Sequence, residues 1–125
     1  MRTLLIVDDA EEYVYSLRNA LKSDFDIICA FNLEEAKKKT DKTVDMILAD
    51  IRLDEANPEN QDGILLLEWV KKNYSGKPVI LMSAYAADGG KSLIAKGAAA
   101  FMEKPVFLME LRAKLQELSK GQAKQ

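Results

Sequence analysis

Carboxylate side chains follow directly on two short, mostly apolar runs of this 125-residue chain. Asp8 and Asp9 come after the run at residues 3–7, and Asp50 ends the run at 44–49. Such runs are typical of strands buried on both faces of a parallel sheet, whose carboxyl ends form the usual ligand-binding edge. Three carboxylates at one edge repel one another unless a cation lies between them, and oxygen ligands of this kind suit Mg²⁺. The acidic residues therefore predict a divalent-cation site.

A hydroxyl group and an ammonium group are expected at the same edge of the sheet. Ser83 ends the apolar run at 79–82, and Lys104 closely follows the run at 98–102. Lys104 supplies a positive charge that can pair with a carboxylate or a phosphoryl oxygen, and Ser83 supplies a hydrogen-bond donor. With Asp50 as a carboxylate nucleophile, these groups are suited to phosphoryl transfer.

Five apolar runs alternate with segments of helical periodicity, which predicts an α/β domain. Short connections and right-handed crossovers favour a flavodoxin-like, doubly wound parallel sheet of five strands, in the order 2-1-3-4-5, with five helices. We expect one domain at residues 1–120 and a polar tail at 121–125. The predicted strands are 3–7, 25–30, 44–50, 79–83 and 98–102, and the predicted helices are 10–22, 32–39, 64–73, 86–96 and 107–118.

The composition excludes several classes of function. The chain has no histidine, so histidine-based catalysis and histidine metal sites are ruled out. A net charge of −2 argues against a nucleic-acid partner, and no apolar stretch approaches the length of a membrane span. No signal peptide is recognisable, and the single cysteine, Cys29, lies in an apolar run. We therefore expect a cytoplasmic protein with no membrane partner and no internal disulfide.

Two segments of the chain have weak structural signals. Residues 51–61 are polar, contain Pro58 and show no periodicity, so we expect a long loop there. Gly89 and Gly90 are costly inside a helix, so the predicted helix at 86–96 is expected to be short and mobile.

Apolar and acidic side chains in and beside the long loop each allow two interpretations. Leu65 and Trp69 lie on a helix face that is usually polar, so either the loop packs over them or they form a partner surface. Asp54, Glu55 and Glu59 are either solvated loop residues or additional ligands that reach a bound metal.

The order and placement of these motifs resemble the receiver domain of two-component response regulators. The resemblance covers nearly the whole chain, although the loop after Asp50 is about five residues longer than is usual in that family. The matching residues are the acidic pair Asp8-Asp9, the strand-end Asp50, Asp62-Gly63, Ser83-Ala84, and Lys104-Pro105 after Gly97-Ala98.

The resemblance implies that Asp50 accepts a phosphoryl group from a histidine kinase or a histidine phosphotransfer protein. It also implies a bound Mg²⁺, or Mn²⁺ in its place, held by Asp8, Asp9 and Asp50 and by the backbone carbonyl of Arg52. A domain of this kind is not a conventional enzyme, since it catalyses its own phosphorylation and dephosphorylation.

Further roles follow from the same resemblance. Ser83 and Lys104 would contact the phosphoryl group, and the peptide bond between Lys104 and Pro105 would be cis, a geometry found almost only before proline. Ser83 and Phe101 stand at the switch positions of the family. Phe101 lacks the hydroxyl of the common tyrosine, so its ring can change rotamer but cannot donate a hydrogen bond.

Two residues stand at positions that tune hydrolysis of the phosphoryl group in this family. They are Arg52 and Tyr85. We hypothesise that the bulk of Tyr85 and the charge of Arg52 shield the acyl phosphate from water, which would give a long-lived phosphoprotein.

The predicted function is that of a stand-alone response regulator. Its output would be contact with a downstream protein through the fourth helix, fifth strand and fifth helix. The alternative is a pseudo-receiver, which uses the same fold as an interaction module without phosphorylation. Two enzyme classes fit less well. An FMN-binding protein would need a phosphate-binding loop at Asp8-Asp9, and a haloacid-dehalogenase-type phosphatase would need an acid in place of Arg52.

Overall fold

A five-stranded parallel sheet lies at the centre of the computed structural model, which describes residues 1–85 and 88–122, with 121 and 122 described as backbone only. The strand order is 2-1-3-4-5, and neighbouring strands are parallel. The predicted flavodoxin-like, doubly wound fold is therefore confirmed. The elements are β1 (Thr3–Val7), α1 (Glu11–Leu21), β2 (Asp26–Ala30), α2 (Leu33–Lys39), β3 (Met46–Asp50), α3 (Asp62–Asn73), β4 (Val79–Ser83), α4 (Lys91–Ala95), β5 (Ala100–Glu103) and α5 (Leu108–Gln122).

Alternating side chains of the central strands form two separate hydrophobic layers. Because successive side chains of a strand point to opposite faces, every second residue of β1, β3 and β4 enters the same layer. One layer contains Leu5, Ile47 and Leu81 and packs against α2, α3 and α4. The other contains Leu4, Leu48 and Ile80 and packs against α1 and α5; its side chains from the helices are Val14, Leu17, Leu21, Leu111 and Leu115. Burial on both faces explains the continuous apolar runs of these strands.

Local capping residues set the limits of two helices. At the start of α2, the Asn32 side chain accepts a hydrogen bond from the Glu35 N–H at 2.8 Å, and Glu35 accepts one from the Phe31 N–H at 2.7 Å. This arrangement is close to a capping box, with the glutamate reaching one residue further back. At the end of α4, Gly97 adopts φ +106°, a left-handed conformation that favours glycine at a helix C-terminus.

Some predicted boundaries are wrong. β3 begins at Met46, and β5 begins at Ala100. α3 begins at Asp62, earlier than expected, because the Asp62-Gly63 step is already helical. The last helix was expected to begin at residue 107, but Phe107 precedes α5 and is 68% exposed.

The predicted fourth helix is much shorter than the expected span of 86–96. Gly89 and Gly90 both have positive φ and lie in a turn before α4, which is only five residues long. Residues 86 and 87 lie outside the described part of the chain. At the other end, α5 continues to Gln122, so the helix includes the first two residues of the expected tail; 123–125 also lie outside the described residues.

The segment at 51–61 is irregular, as predicted, but internal hydrogen bonds give it a defined shape. The Asn60 side-chain oxygen accepts hydrogen bonds from the N–H groups of Leu53, at 3.0 Å, and Asp62, at 2.9 Å. Leu53 is buried in the core layer below the loop. Leu65 is half exposed, whereas Trp69 packs against that layer and lies beside the Tyr74 ring, with ring centroids 5.8 Å apart. Trp69 is thus mainly a core side chain.

Over the described residues, no helix combines the length and the apolar character that a bilayer crossing requires. Cys29 is partly buried in the core, and its burial raises the pKa of the thiol.

Candidate phosphoacceptor and metal site

The carboxyl ends of two adjacent central strands bring the predicted acidic residues together. Asp8 directly follows β1 and Asp50 ends β3, and these two strands are paired in the sheet. Asp8 is fully buried, and its carboxylate accepts a hydrogen bond from the Ala10 N–H at 3.0 Å, just before α1. Asp8, Asp9 and Asp50 each offer a carboxylate oxygen within 4.8 Å of the others. The predicted acidic cluster is therefore present.

Lys104 joins this cluster from the fifth strand. Its Nζ lies 2.7 Å from Oδ2 of Asp8 and 3.1 Å from Oδ2 of Asp50. The peptide bond between Lys104 and Pro105 is cis, as expected. On its other side, the ammonium group lies 4.7 Å from the centroid of the Tyr13 ring, a distance at which a cation is attracted by the aromatic face.

The pKa values of Asp50 and Lys104 are both raised above their ordinary values. Burial raises the pKa of Asp50; the Lys104 charge opposes this rise, and the Asp8 charge adds to it. Burial alone would lower the pKa of Lys104, but the hydrogen bonds and charges of Asp8 and Asp50 outweigh it and hold that pKa above its ordinary value. Lys104 is therefore a firmly charged ammonium, and an ionised Asp50 is stabilised by added positive charge.

The acidic cluster fits a small divalent cation. Oδ1 of Asp9 is buried without a hydrogen-bond partner among the described residues, so it offers a free ligand oxygen. Oδ2 of the same carboxylate accepts a hydrogen bond from the Glu55 N–H at 2.9 Å. One lysine neutralises only part of the negative charge of three carboxylates. Mg²⁺, which usually keeps several bound waters, would supply the missing positive charge and would be bound by the carboxylate oxygens. Asp8, Asp9 and Asp50 are the side chains that would hold the ion.

Asp50 opens into a cleft of about 390 Å³ at the carboxyl edge of the sheet. Ser83, Tyr85 and Lys104 line it on the side of β4 and β5, and Arg52 lines it beside Asp50. The remaining lining residues are Ile51, Ala84 and five residues of the long loop, Glu55, Pro58, Glu59, Asn60 and Gln61. The cleft therefore gathers the predicted phosphoacceptor, the hydroxyl, the ammonium group and both predicted hydrolysis-tuning residues.

The Ser83 hydroxyl makes local hydrogen bonds within its own loop. It donates to the Tyr85 carbonyl oxygen at 2.8 Å and accepts from the Tyr85 N–H at 3.2 Å. The Tyr85 side chain is 75% exposed at the opening of the cleft. The donor of the Ser83 hydroxyl is thus occupied within its own loop.

Phe101, the predicted aromatic switch residue, lies outside the lining of the cleft. Its partly buried ring packs against the core layer on the α4 side, and a β-carbon added to Gly90 would lie 2.6 Å from it. The ring thus fills the space beside Gly90, at the start of α4.

Three contributors to the site were missed by the sequence reasoning. Tyr13 was assigned only to the apolar stripe of the first helix, because its spacing does not distinguish a core ring from one that faces Lys104. The backbone N–H of Glu55 gives no sequence signal at all. Asn60 in a polar loop could have been recognised as a residue that often accepts local backbone hydrogen bonds.

Comparisons with known proteins agree with this geometry. The sequence profile of the response regulator receiver domain matches residues 4–116. A CheY-like response regulator receiver domain protein from Methanospirillum hungatei JF-1 is 26% identical, with a TM-score of 0.85 and coverage of 100% of this chain and 99% of that chain. The non-phosphorylated HemR receiver domain from Leptospira biflexa is 26% identical, with a TM-score of 0.82 and 94% of each chain covered. No match was found among curated proteins.

A third solved structure shares the fold. It is a two-component response regulator from Clostridium difficile, 24% identical, with a TM-score of 0.84 and coverage of 98% of this chain and 99% of that chain. The chain belongs to the response regulator receiver domain family, since the family profile spans most of its length. It is a receiver domain of the two-component response regulator type.

Proposed function

We propose that this receiver domain accepts a phosphoryl group on Asp50 in a Mg²⁺-dependent reaction and passes the signal on by protein contact. The observation that carries the proposal is the position of Lys104, whose Nζ contacts both Asp8 and Asp50 at the bottom of an open cleft. This arrangement supports the proposal, because a carboxylate, a fixed positive charge and an acidic cluster surround one volume.

The transfer begins with the Asp50 carboxylate oxygen facing the donor's phosphorus atom in the cleft. A P–O bond forms to Asp50 as the P–N bond of a phosphohistidine breaks, and the donor nitrogen retains the electron pair and takes up a proton. Mg²⁺ bound by Asp8, Asp9 and Asp50 would neutralise charge on the phosphoryl oxygens. Lys104 holds a second positive charge within reach of Asp50 and stabilises the same developing charge.

The switch residues would respond to the new group on Asp50. The Ser83 hydroxyl would leave the Tyr85 carbonyl and donate to a phosphoryl oxygen. Phe101 would adjust its ring against Gly90 and thereby move the start of α4. Because α4 is short and follows two glycines with positive φ, it is an element that two states can repack at low cost.

The proposed partners are a histidine kinase or histidine phosphotransfer protein as the phosphodonor and a downstream protein as the target. The proposed location is the cytoplasm, where these donors act. Arg52 and Tyr85 would slow hydrolysis by limiting the approach of water from the open side of the cleft.

Intact-mass spectrometry tests the proposal directly. The protein would be incubated with Mg²⁺ and excess phosphoramidate, with Asp50→Ala and EDTA-treated samples as controls. We expect one phosphate-sized mass gain in the native protein and none in either control. A gain that survives Asp50→Ala would reject Asp50 as the acceptor.

If the native protein binds Mg²⁺ but never gains mass, the pseudo-receiver becomes the better description. In that case the domain would act as a contact module whose surface is independent of phosphorylation.

A further inference from the structure

The long loop after β3 forms a fixed wall of the phosphoacceptor cleft. Two short turns in the loop are closed by side-chain oxygens: Asp54 accepts from the Ala56 N–H at 3.1 Å, and Asn57 accepts from the Glu59 N–H at 3.0 Å. The Asn60 side-chain oxygen joins the two ends of the loop, because it accepts hydrogen bonds from the N–H groups of Leu53 and Asp62. These contacts restrict where the loop side chains can stand.

The loop is also joined to the acidic cluster itself. The Glu55 N–H donates to Oδ2 of Asp9, 46 residues earlier in the chain, at 2.9 Å. This hydrogen bond to a charged acceptor anchors the middle of the loop at the proposed metal site. The loop is therefore a structural part of the site.

The charged residues that line the cleft include more acids than the proposed chemistry needs. They are three carboxylates, those of Asp50, Glu55 and Glu59, and two cations, those of Arg52 and Lys104. Lys104 is already paired with Asp8 and Asp50, so Arg52 is the one other cation in the cleft lining to set against the two glutamates. The side of the cleft formed by the loop thus carries uncompensated negative charge.

We propose that Glu55 and Glu59 determine phosphodonor specificity by slowing the reaction of Asp50 with small phosphodonors of high negative charge. The inference rests on the proposed function and deepens it. A free phosphodonor that enters the cleft brings its negative charge close to the two glutamates in the lining. Charges closer together than the Debye length, roughly 8 Å at physiological ionic strength, are only partly screened, so the glutamates repel the donor. A protein donor that presents positive surface charge beside its phosphohistidine offsets this repulsion and is selected instead.

The test compares two small donors of different charge. Acetyl phosphate is dianionic at neutral pH, and phosphoramidate carries a smaller net charge. Initial rates of Asp50 phosphorylation would be measured by intact mass in Mg²⁺ for the native protein and for the Glu55→Gln, Glu59→Gln double variant. We expect the acetyl phosphate rate to rise on the order of tenfold in the double variant, and the phosphoramidate rate to rise less. Added salt should reduce the difference between the two proteins.

Asp54→Asn is the matched control. Asp54 belongs to the same loop but not to the cleft lining, and asparagine retains the oxygen that accepts from the Ala56 N–H. The proposal requires this variant to keep the native rates with both donors. An equal gain in Asp54→Asn, or an equal gain for the two donors in the double variant, would overturn the specificity role.

Failure of the specificity role is distinguishable from failure of the proposed function. If phosphoramidate and acetyl phosphate modify Asp50 at native rates in the double variant, Asp50 remains the acceptor and the specificity role is wrong. If neither donor modifies any of the proteins, the proposed function fails and the specificity role falls with it.

Discussion

Gly63 lies so close to the backbone of Asp50 that a β-carbon at Gly63 would stand 2.2 Å from the Asp50 carbonyl oxygen. The same β-carbon would lie 2.6 Å from Cα of Ile51. The Gly63 N–H also donates to the Ile51 carbonyl oxygen at 2.8 Å. The first turn of α3 is therefore fitted directly against the end of β3, and this contact sets the position of the proposed phosphoacceptor.

Gly63→Ala should displace Asp50 and destabilise the fold. The clash is with backbone atoms, which cannot move aside as a flexible side chain can, so we expect a loss of about 1–3 kcal/mol in the free energy of unfolding. Phosphorylation of Asp50 should fall with it. Urea denaturation and intact-mass phosphorylation would measure the two effects.

Gly76→Ala is the control for that substitution, because a β-carbon at Gly76 would meet no atom within 4 Å. It should leave both stability and phosphorylation close to native. Equal behaviour of the two alanine variants would show that the close approach at Gly63 has no consequence.

Asp50→Asn should make the metal-free protein more stable. Burial raises the pKa of Asp50, which means that its charged form is disfavoured in the folded state at neutral pH. Removing the charge should therefore raise the free energy of unfolding measured in EDTA. The same variant should gain less stability from Mg²⁺ than the native protein does, because it loses a proposed ligand.

Urea denaturation with EDTA and with Mg²⁺ would separate these two effects. Asp26→Asn is a suitable control, since Asp26 is exposed at the opposite end of the sheet, where β2 begins. A native-sized gain from Mg²⁺ in Asp50→Asn would argue against Asp50 as a ligand.

Tyr85→Ala should shorten the lifetime of the proposed phosphoprotein. Tyr85 lines the cleft and is 75% exposed, so under the proposed shielding role its ring would limit the approach of water to Asp50. We expect hydrolysis to be several-fold faster once the ring is removed, as followed by loss of the added mass. Tyr15→Ala, on α1, removes a similar exposed ring that lies outside the cleft lining. An unchanged lifetime in Tyr85→Ala would reject the shielding role of Tyr85.

Asp88 should make α4 sensitive to acid. Its carboxylate accepts hydrogen bonds from the Gly90 and Ser92 N–H groups, each at 3.0 Å. Hydrogen bonds from the Ser92 side chain and backbone are the largest causes that lower the pKa of Asp88 below its usual 3.8. The unfolded chain therefore takes up the proton at higher pH than the folded one. The stabilisation is present above that usual value and is lost as pH falls through the lower folded-state pKa.

Hydrogen-exchange protection of the α4 amides would show this effect. We expect the protection factors of α4 to fall as the pH drops below the usual Asp88 pKa of 3.8, and to fall less in Asp88→Asn, which has no charge to lose. The same acid response in both proteins would locate the cause elsewhere in the fold.

Strand positions and strand-end chemistry were determined by the sequence alone. Each central strand is covered by helices on both faces, so its residues form a continuous apolar run, and the residue that ends the run is visible as a polar one. For this reason Asp8, Asp50, Ser83 and Lys104 could be assigned to one edge of the sheet before any coordinates were known. The order of the strands followed from the regular alternation of strands and helices and the fixed handedness of their crossovers.

Only the tertiary structure decided which side chains complete the site. Tyr13 faces Lys104 and Glu55 reaches Asp9 through contacts between segments distant in sequence, and no local periodicity records such contacts. The turn that contains Gly89 and Gly90 determines where α4 begins, and the turn that contains Pro105 leaves Phe107 exposed before α5. The local pattern of apolar and polar residues indicates which side chains can be buried. Which residues a loop or an aromatic ring contacts depends on how distant segments of the chain pack together.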